Sequence, residues 1–443
     1  MQAPRQTLTV VDAIAIIVAI VVGAGIFKTP SIVAAGAGNK AVFLLLWPLG
    51  GAISLVGALC YAELASAYPS EGGDYHYFRL SLGGWVAFLF AWARLTVIQT
   101  GSIVILAFVF GDYAAQLLPL GPHASAIYAA AAVIILSILN AVSIKHSTRT
   151  QNIFSGAKIL GLLCICFVGF FVAPTVSPTA TGVHLPTSTI GLSMVFVLLT
   201  YGGWNEIAFA SAEFRNVQRD MLRALSWGIL IITVVFVLVN LAYVNVLGLK
   251  GVASSEAVAA DLMRQILGDR GARFISVLIT ISTLGAASGT VFTGARTNYA
   301  LGKTFAPLHF MGRWNDKTNT PLGALLVQGL IALALVIFGE LQRKGFETLV
   351  EYTAPVFWFF FLLTGIALFV LRRNDPGRFR PFRVPFYPFT PLLFCGACCY
   401  MLWSSVAYTG LGAVLGIAVL LSGAVVLLLS RTLGSKVQPD ATD

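Results

Sequence analysis

The groups in this sequence best placed to do chemistry belong to the backbone. Val21-Val22-Gly23-Ala24-Gly25-Ile26-Phe27 lies in the middle of the first long apolar segment. Two glycines one residue apart weaken a helix where no water can take over its hydrogen bonds. An interruption there leaves free C=O groups at the end of the first half-helix and free N–H groups at the start of the second. The first half, from Thr9 to Val22, is about 21 Å long at ~1.5 Å per residue, so Gly23 falls near mid-membrane. The amides of Ala24, Gly25 and Ile26 can then hold a carboxylate. The competing reading is that Gly-x-Gly spacing merely lets two helices pack closely.

A second interruption, Thr200-Tyr201-Gly202-Gly203-Trp204-Asn205, ends a half-helix whose carbonyls from Leu199 to Gly202 can accept hydrogen bonds from an ammonium group. A carboxylate at one break and an amine at the other describe an α-amino acid. Trp204 and Asn205 face the pocket or its gate, with plain packing the alternative for the tryptophan. Glu206 lines an aqueous path or pairs with a basic group. Lys158 sits about a turn and a half into the fifth apolar segment, where a lysine marks a functional site unless it snorkels to the interface. Glu63 and Arg94, also charged within apolar sequence, read as structural pairs or as the lining of a vestibule. Lys28 opens the second half-helix, where a cation opposes the dipole.

No catalytic constellation emerges. His76, His123, His146, His184 and His309 are scattered without metal-ligand spacing or an adjacent nucleophile, so the sequence points to no enzyme, no metal and no cofactor. All six cysteines fall in apolar segments, where packing thiols are expected rather than disulfides.

The elements that must position these groups follow from composition. The chain is 58% hydrophobic and 10% charged, against about a quarter charged in soluble proteins. This is an all-α polytopic membrane protein, and its net charge of +10 matters by distribution, with no nucleic-acid partner implied. Segments of about 20 residues, long enough to cross a bilayer, give twelve spans: 9–37, 42–68, 82–110, 124–142, 152–172, 190–214, 224–247, 274–302, 322–338, 349–371, 388–405 and 411–430. The first is too long for a signal-peptide core and reads as a retained span. Seventeen of the 28 Lys and Arg residues fall in loops on the side of the N-terminus and seven on the other. That bias puts both termini in the cytoplasm, with the chain in the cell (plasma or inner) membrane. Between spans seven and eight, Leu262, Met263, Ile266 and Leu267 recur at helical spacing, as in an amphipathic surface helix.

The two glycine breaks lie in spans one and six, and breaks at corresponding places in two halves point to a transporter's binding site. An odd offset of five spans inverts one copy relative to the other. The expected organisation is one transmembrane transporter domain, 1–443, built as a five-plus-five inverted repeat (9–172 and 190–371) with two extra helices in 388–430. Helices one and six are discontinuous.

Six stretches in order carry a family resemblance: 12–27 (DAIAIIVAIVVGAGIF), 60–75 (CYAELASAYPSEGGDY), 152–158, 200–216 (TYGGWNEIAFASAEFRN), 285–296 (GAASGTVFTGAR) and 351–361 (EYTAPVFWFFF). Together they resemble the amino acid–polyamine–organocation superfamily, near bacterial relatives of the L-type amino acid transporters. The resemblance implies substrate between spans one, three, six, eight and ten. The carboxylate would meet the amides of Ala24 and Gly25, and the amine the carbonyls of Val21, Leu199 and Gly202. Gln99, Ile103, Asn205, Ser282 and Ala286 would shape the pocket. Relatives often place an aromatic gate where this chain has Leu199, which leaves Trp204 or Tyr201 as the substitute. Lys158 matches the position where sodium-independent relatives put a lysine in the ion site, its ammonium bridging carbonyls near Gly23 to a hydroxyl such as Ser282 or Ser288. The implied activity is sodium-independent secondary transport of small zwitterionic L-amino acids by alternating access, through exchange or proton symport. A polyamine or cation carrier and a non-transporting amino acid sensor of the same fold are the alternatives. Some animal relatives bind a glycoprotein subunit through a cysteine between spans three and four. Residues 112–123 contain none, so no disulfide-linked heavy subunit is expected.

Overall fold

The structure is a computed structural model that describes residues 8–70, 72–142, 148–172, 187–305, 308–315, 318, 320–342, 344–407 and 410–432. His146 and His184, and Arg5, Lys145, Lys317, Arg343 and Lys436 among the basic loop residues, fall outside them. The first span is α1 (Val10–Val21) and α2 (Gly25–Ala37), bent by 53° at the glycines. It is followed by α3 (Lys40–Ala67) and a short α4 (Asp74–Ser81). The third span joins α5 (Gly84–Ala93) to α6 (Gln99–Leu117) through a π-helical stretch, Arg94–Ile98. Next come α7 (Ala124–Ala141) and α8 (Thr148–Phe167), the latter ending in a second π-helical turn, Val168–Val172. The sixth span is α9 (Thr187–Thr200) and a 3₁₀ helix, Trp204–Glu213. The rest are α10 (Val217–Ala253), α11 (Val258–Thr304), α12 (Leu322–Leu341), α13 (Gly345–Asn374), α14 (Phe389–Ala407) and α15 (Leu411–Thr432).

Among the described residues ten stretches are long and apolar enough to cross a membrane and the bent pair α1–α2 makes an eleventh, with a shorter apolar helix at Gly156–Val172 where the sequence expects the fifth span. Local chemistry sets several ends. Thr9 and Asp12 form a reciprocal capping box on α1, and the Asn39 side chain accepts the Val42 amide at the start of α3. One expectation needs revision. The second half of the sixth span is 3₁₀ rather than α-helical, and at ~2 Å per residue its 10 residues reach about 20 Å, further than an α-helix of that length. The segment between spans seven and eight forms a helix with two faces, Gln265 and Leu267 being exposed. Leu262 and Met263 are buried, and Gly268, with φ 67°, turns the chain into the eighth span.

The chain divides into two compact units, each built from separated stretches. The first takes Met1–Ala87, Lys158–Leu278 and Phe357–Thr409, and the second Phe88–Ala157, Ile279–Val356 and Gly410–Asp443. In the first unit α3 packs along α10, α1 against α10, and α2 against α9. In the second, α6 packs against α7, and α12 against both. Neither sequence repeat is a unit by itself, since each unit draws elements from both.

One end of the first unit is held by a buried carboxylate. Glu63, near the end of α3, is 1% exposed. It accepts Arg372 Nε at 2.7 Å and the Val384 amide at 2.7 Å, with Arg380 Nε 3.6 Å away. Beside it Tyr68 donates to Asp375 at 3.1 Å. Glu63 is therefore a structural pairing group whose partners lie more than 300 residues along the chain. Glu63→Ala leaves Arg380 buried without its anion, a loss of ~3–5 kcal/mol for a broken buried pair. Its melting temperature in detergent is expected to fall well below wild type, and an unchanged value rejects this role.

Candidate functional site

The two breaks meet inside the first unit. The last turn of α1 closes with Val22 N–H donating to Val18 O at 2.9 Å and Gly23 N–H to Val21 O at 2.6 Å. The second half restarts with Phe27 N–H on Ala24 O at 3.1 Å. The amides of Ala24, Gly25 and Ile26 are those that a helix start leaves without an intrahelical acceptor. In the sixth span, Tyr201 and Gly202 donate to Val197 O at 3.1 Å and Leu199 O at 3.0 Å, and Gly203 turns the chain with φ 107°. A carbonyl has a second lone pair, so Leu199 O can still take another donor.

Glycine permits this crossing at two points. A Cβ on Gly25 would lie 3.0 Å from Thr200 Cγ2, and one on Gly203 would lie 2.6 Å from Ile20 Cγ2. Each span's break thus presses on a partner residue beside the other span's break. A hydroxyl pair adds a polar tie, with Thr200 Oγ1 2.9 Å from Thr29 Oγ1 and 2.8 Å from Phe196 O. At the ends, Leu8 N–H donates to Glu213 O at 3.0 Å and Arg215 N–H to Leu8 O at 3.2 Å, so the start of span one pairs with the end of span six. Gly23, Gly25, Leu199, Gly202 and Gly203 keep partial exposure, while Val21, Ala24, Ile26, Thr200 and Tyr201 around them are buried.

Lys158 is buried, and its Nζ donates to Ala19 O at 2.7 Å. That carbonyl belongs to the last turn of α1, where a cation meets the negative end of the helix dipole. The contact falls one turn before the carbonyls near Gly23 suggested by the sequence. Lys28 donates to Glu256 O at 3.1 Å, an account the sequence did not supply.

The remaining residues singled out from the sequence divide. Tyr201 is fully buried, with its hydroxyl on Trp47 O at 2.8 Å and its ring edge-on to Phe236. Trp204 packs edge-on against Tyr61 and tilted on Phe361, and lines a small cavity with Ser54, Leu198, Gly202 and Phe357. Asn205 is buried. Gln99, Ile103, Ser282, Ala286 and Ser288 belong to the second unit. There the Gln99 amide is engaged, donating to Thr290 O at 2.9 Å and Thr293 Oγ1 at 3.2 Å while accepting from Arg94 at 3.3 Å. Ile103, Ser282 and Ser288 are buried, and Ala286 is half-buried. Sequence reasoning missed the Thr29–Thr200 tie, although Thr200 opens the TYGGWN stretch. Among the described residues no cluster of His, Cys, Asp or Glu has the makings of a metal site.

Two discontinuous spans crossing at their breaks, with partly exposed helix ends where they cross, define a membrane transporter of the broken-helix class. A family model described as amino acid permease matches residues 8–434. The b(0,+)-type amino acid transporter 1 of Mus musculus is 30% identical over 392 residues, covering 86% of this chain and 79% of its own. Its Homo sapiens counterpart is 30% identical over 390 residues with the same coverage. The large neutral amino acids transporter small subunit 2 of Mus musculus is 30% identical over 438 residues, 95% of this chain and 80% of its own. The chain belongs to the amino acid permease family, and it is a transporter rather than an enzyme.

The glycine contacts give a direct test. Gly203→Ala imposes a left-handed backbone costing ~1–2 kcal/mol on a residue with a Cβ, and adds the clash with Ile20. It is expected to lower the melting temperature and nearly abolish transport. Tyr201→Phe, which loses one buried hydrogen bond of about 1 kcal/mol, is expected to lower stability mildly and keep transport. Wild-type transport by Gly203→Ala rules out the crossing as a functional contact.

Proposed function

We propose that the protein carries small zwitterionic L-amino acids across the cell membrane by alternating access, without sodium, through exchange or proton coupling. The observation that carries this reading is the juxtaposition of the two breaks. Free amides of Ala24, Gly25 and Ile26 suit a carboxylate, while the α9 end, at Leu199 and Gly202, suits an ammonium. Partial exposure of Gly23, Gly25, Leu199, Gly202 and Gly203 supports access to these groups. The proposed site is built from the first unit's two breaks, with Val21 and Asn205 beside them. Tyr201 and Trp204 act by holding the break in place through Trp47 and Tyr61.

Lys158 supports sodium independence, because a fixed ammonium already occupies carbonyl space at the end of α1. The same cation disfavours a polyamine cargo, which would meet a like charge beside the site. The excess of basic residues on one side supports cytoplasmic termini. The loop 112–123 offers no cysteine for a disulfide-linked subunit. Names of the relatives, an amino acid transporter and a transporter of large neutral amino acids, support an amino acid cargo, not its size.

The purified protein should gain thermal stability with its amino acid substrates, as any ligand of the folded state confers. Proteoliposomes should take up those same amino acids with or without a sodium gradient. Lys158→Ala removes a charge-assisted hydrogen bond worth ~1.5–3 kcal/mol, so uptake is expected to fall roughly 10- to 100-fold if that energy holds the α1 end through the cycle. No thermal shift with any common amino acid, together with no uptake, rejects the proposal. Full uptake by Lys158→Ala rejects the role given to the lysine.

A further inference from the structure

The loop joining α13 to α14 is unusual for a short connection between spans. Together with the last turn of α13 it holds five arginines and one aspartate between Arg372 and Arg383. Two of the arginines face Glu63, Arg372 by hydrogen bonding and Arg380 at 3.6 Å. Arg378 donates to Ala67 O at 3.0 Å, with its guanidinium over the Tyr68 ring. Arg373 and Arg383 are exposed. Among and just after these cations are three phenylalanines that find no cover in the protein: Phe379 is 70% exposed, Phe386 83% and Phe389 74%.

This exposure does not come from a slack backbone. Val384 N–H is fixed on Glu63 at 2.7 Å, Arg380 donates to Leu371 O at 3.0 Å and Asp375 O at 2.8 Å, and Thr390 donates to Pro385 O at 2.6 Å. Phe386 adopts φ 53°, a conformation non-glycine residues rarely take. The loop thus presents aromatic rings and cations together from a fixed platform at the end of two membrane helices. Rings of this kind suit the boundary between headgroups and acyl chains, and the neighbouring cations suit phosphates.

We propose that the α13–α14 loop binds an anionic phospholipid, with Arg373 and Arg383 at its phosphate and headgroup and Phe379 and Phe386 in the adjoining lipid layer. The phenylalanines decide for a lipid over a soluble anion, since a free phosphate gives them nothing to cover. The site lies apart from the two breaks and does not depend on which substrate is carried. Through Val384 and Arg380 it is tied to Glu63, so lipid held here bears on the end of α3.

The full-length protein in neutral detergent is heated with added phosphatidylglycerol or phosphatidylcholine. Three variants are compared with wild type: Arg373→Gln with Arg383→Gln, Phe379→Ser with Phe386→Ser, and a control for generic basic charge, Arg219→Gln with Arg223→Gln on α10. Phosphatidylglycerol is expected to raise the melting temperature of wild type and control several degrees more than phosphatidylcholine does. That preference should at least halve in the arginine variant, and the phenylalanine variant should respond less to both lipids. Each comparison uses the shift from the same variant without lipid, so an initial loss of stability does not imitate the effect. The proposal is overturned by an absent preference in wild type, by a full preference in the arginine variant, by an equal loss in the control, by a full response in the phenylalanine variant, or by inorganic phosphate reproducing the shift.

Discussion

A chain that interrupts a helix inside a bilayer must house the freed N–H and C=O groups within protein, and here the housing for each interrupted helix is the other one. Gly25 lies on Thr200, and Gly203 lies on Ile20, at distances that leave no room for a Cβ without displacement. The remaining arrangement of the first unit follows from that contact. Crossing at the breaks sets α1 beside the 3₁₀ helix and α2 beside α9, so every half-helix has a neighbour from the other interrupted span. The helix ends are then largely buried, with partial exposure kept at the glycines.

Charge is used sparingly in a chain with only 10% charged residues, and several of the buried charges have a recognisable electrostatic partner. Lys158 meets the carbonyl end of α1, Glu63 meets two arginines and an amide, and Arg94 reaches Gln99 from the π-helical turn of span three. The lysine differs from the glutamate in its partner. Glu63 balances another full charge and so behaves as a fastener between distant segments. Lys158 balances only the partial charges of a helix terminus, an attraction that changes as the geometry of that terminus changes.

Much of the architecture was legible because the bilayer is a strict solvent. Length and apolarity of segments gave twelve spans, and glycine pairs at mid-depth gave the two interruptions. What escaped were features set by contacts across long sequence separations. Glu63 could be read as paired but not to Arg372 and Val384, and Tyr201 could be placed at a break but not on Trp47. The 3₁₀ form of Trp204–Glu213 and the π turn at Arg94–Ile98 also escaped, since neither follows from apolar periodicity alone. Gln99 shows the limit most clearly. The resemblance implied it as a pocket residue, and only the structure supplies its amide's contacts with Thr290 and Thr293. The proposed site could be read from sequence only so far as it is made of backbone, because helix ends have the same chemistry whatever the neighbouring side chains.

The two hydrogen bonds that join Leu8 to Glu213 and Arg215 have a mechanical consequence. They make the first turn of α1 and the last turn of the 3₁₀ helix a single yoke. Any swing of α1 that preserves them must carry the far end of span six along, so two apparently separate levers share one degree of freedom. A partner, tag or proteolytic cut at the first residues would therefore act on both arms at once.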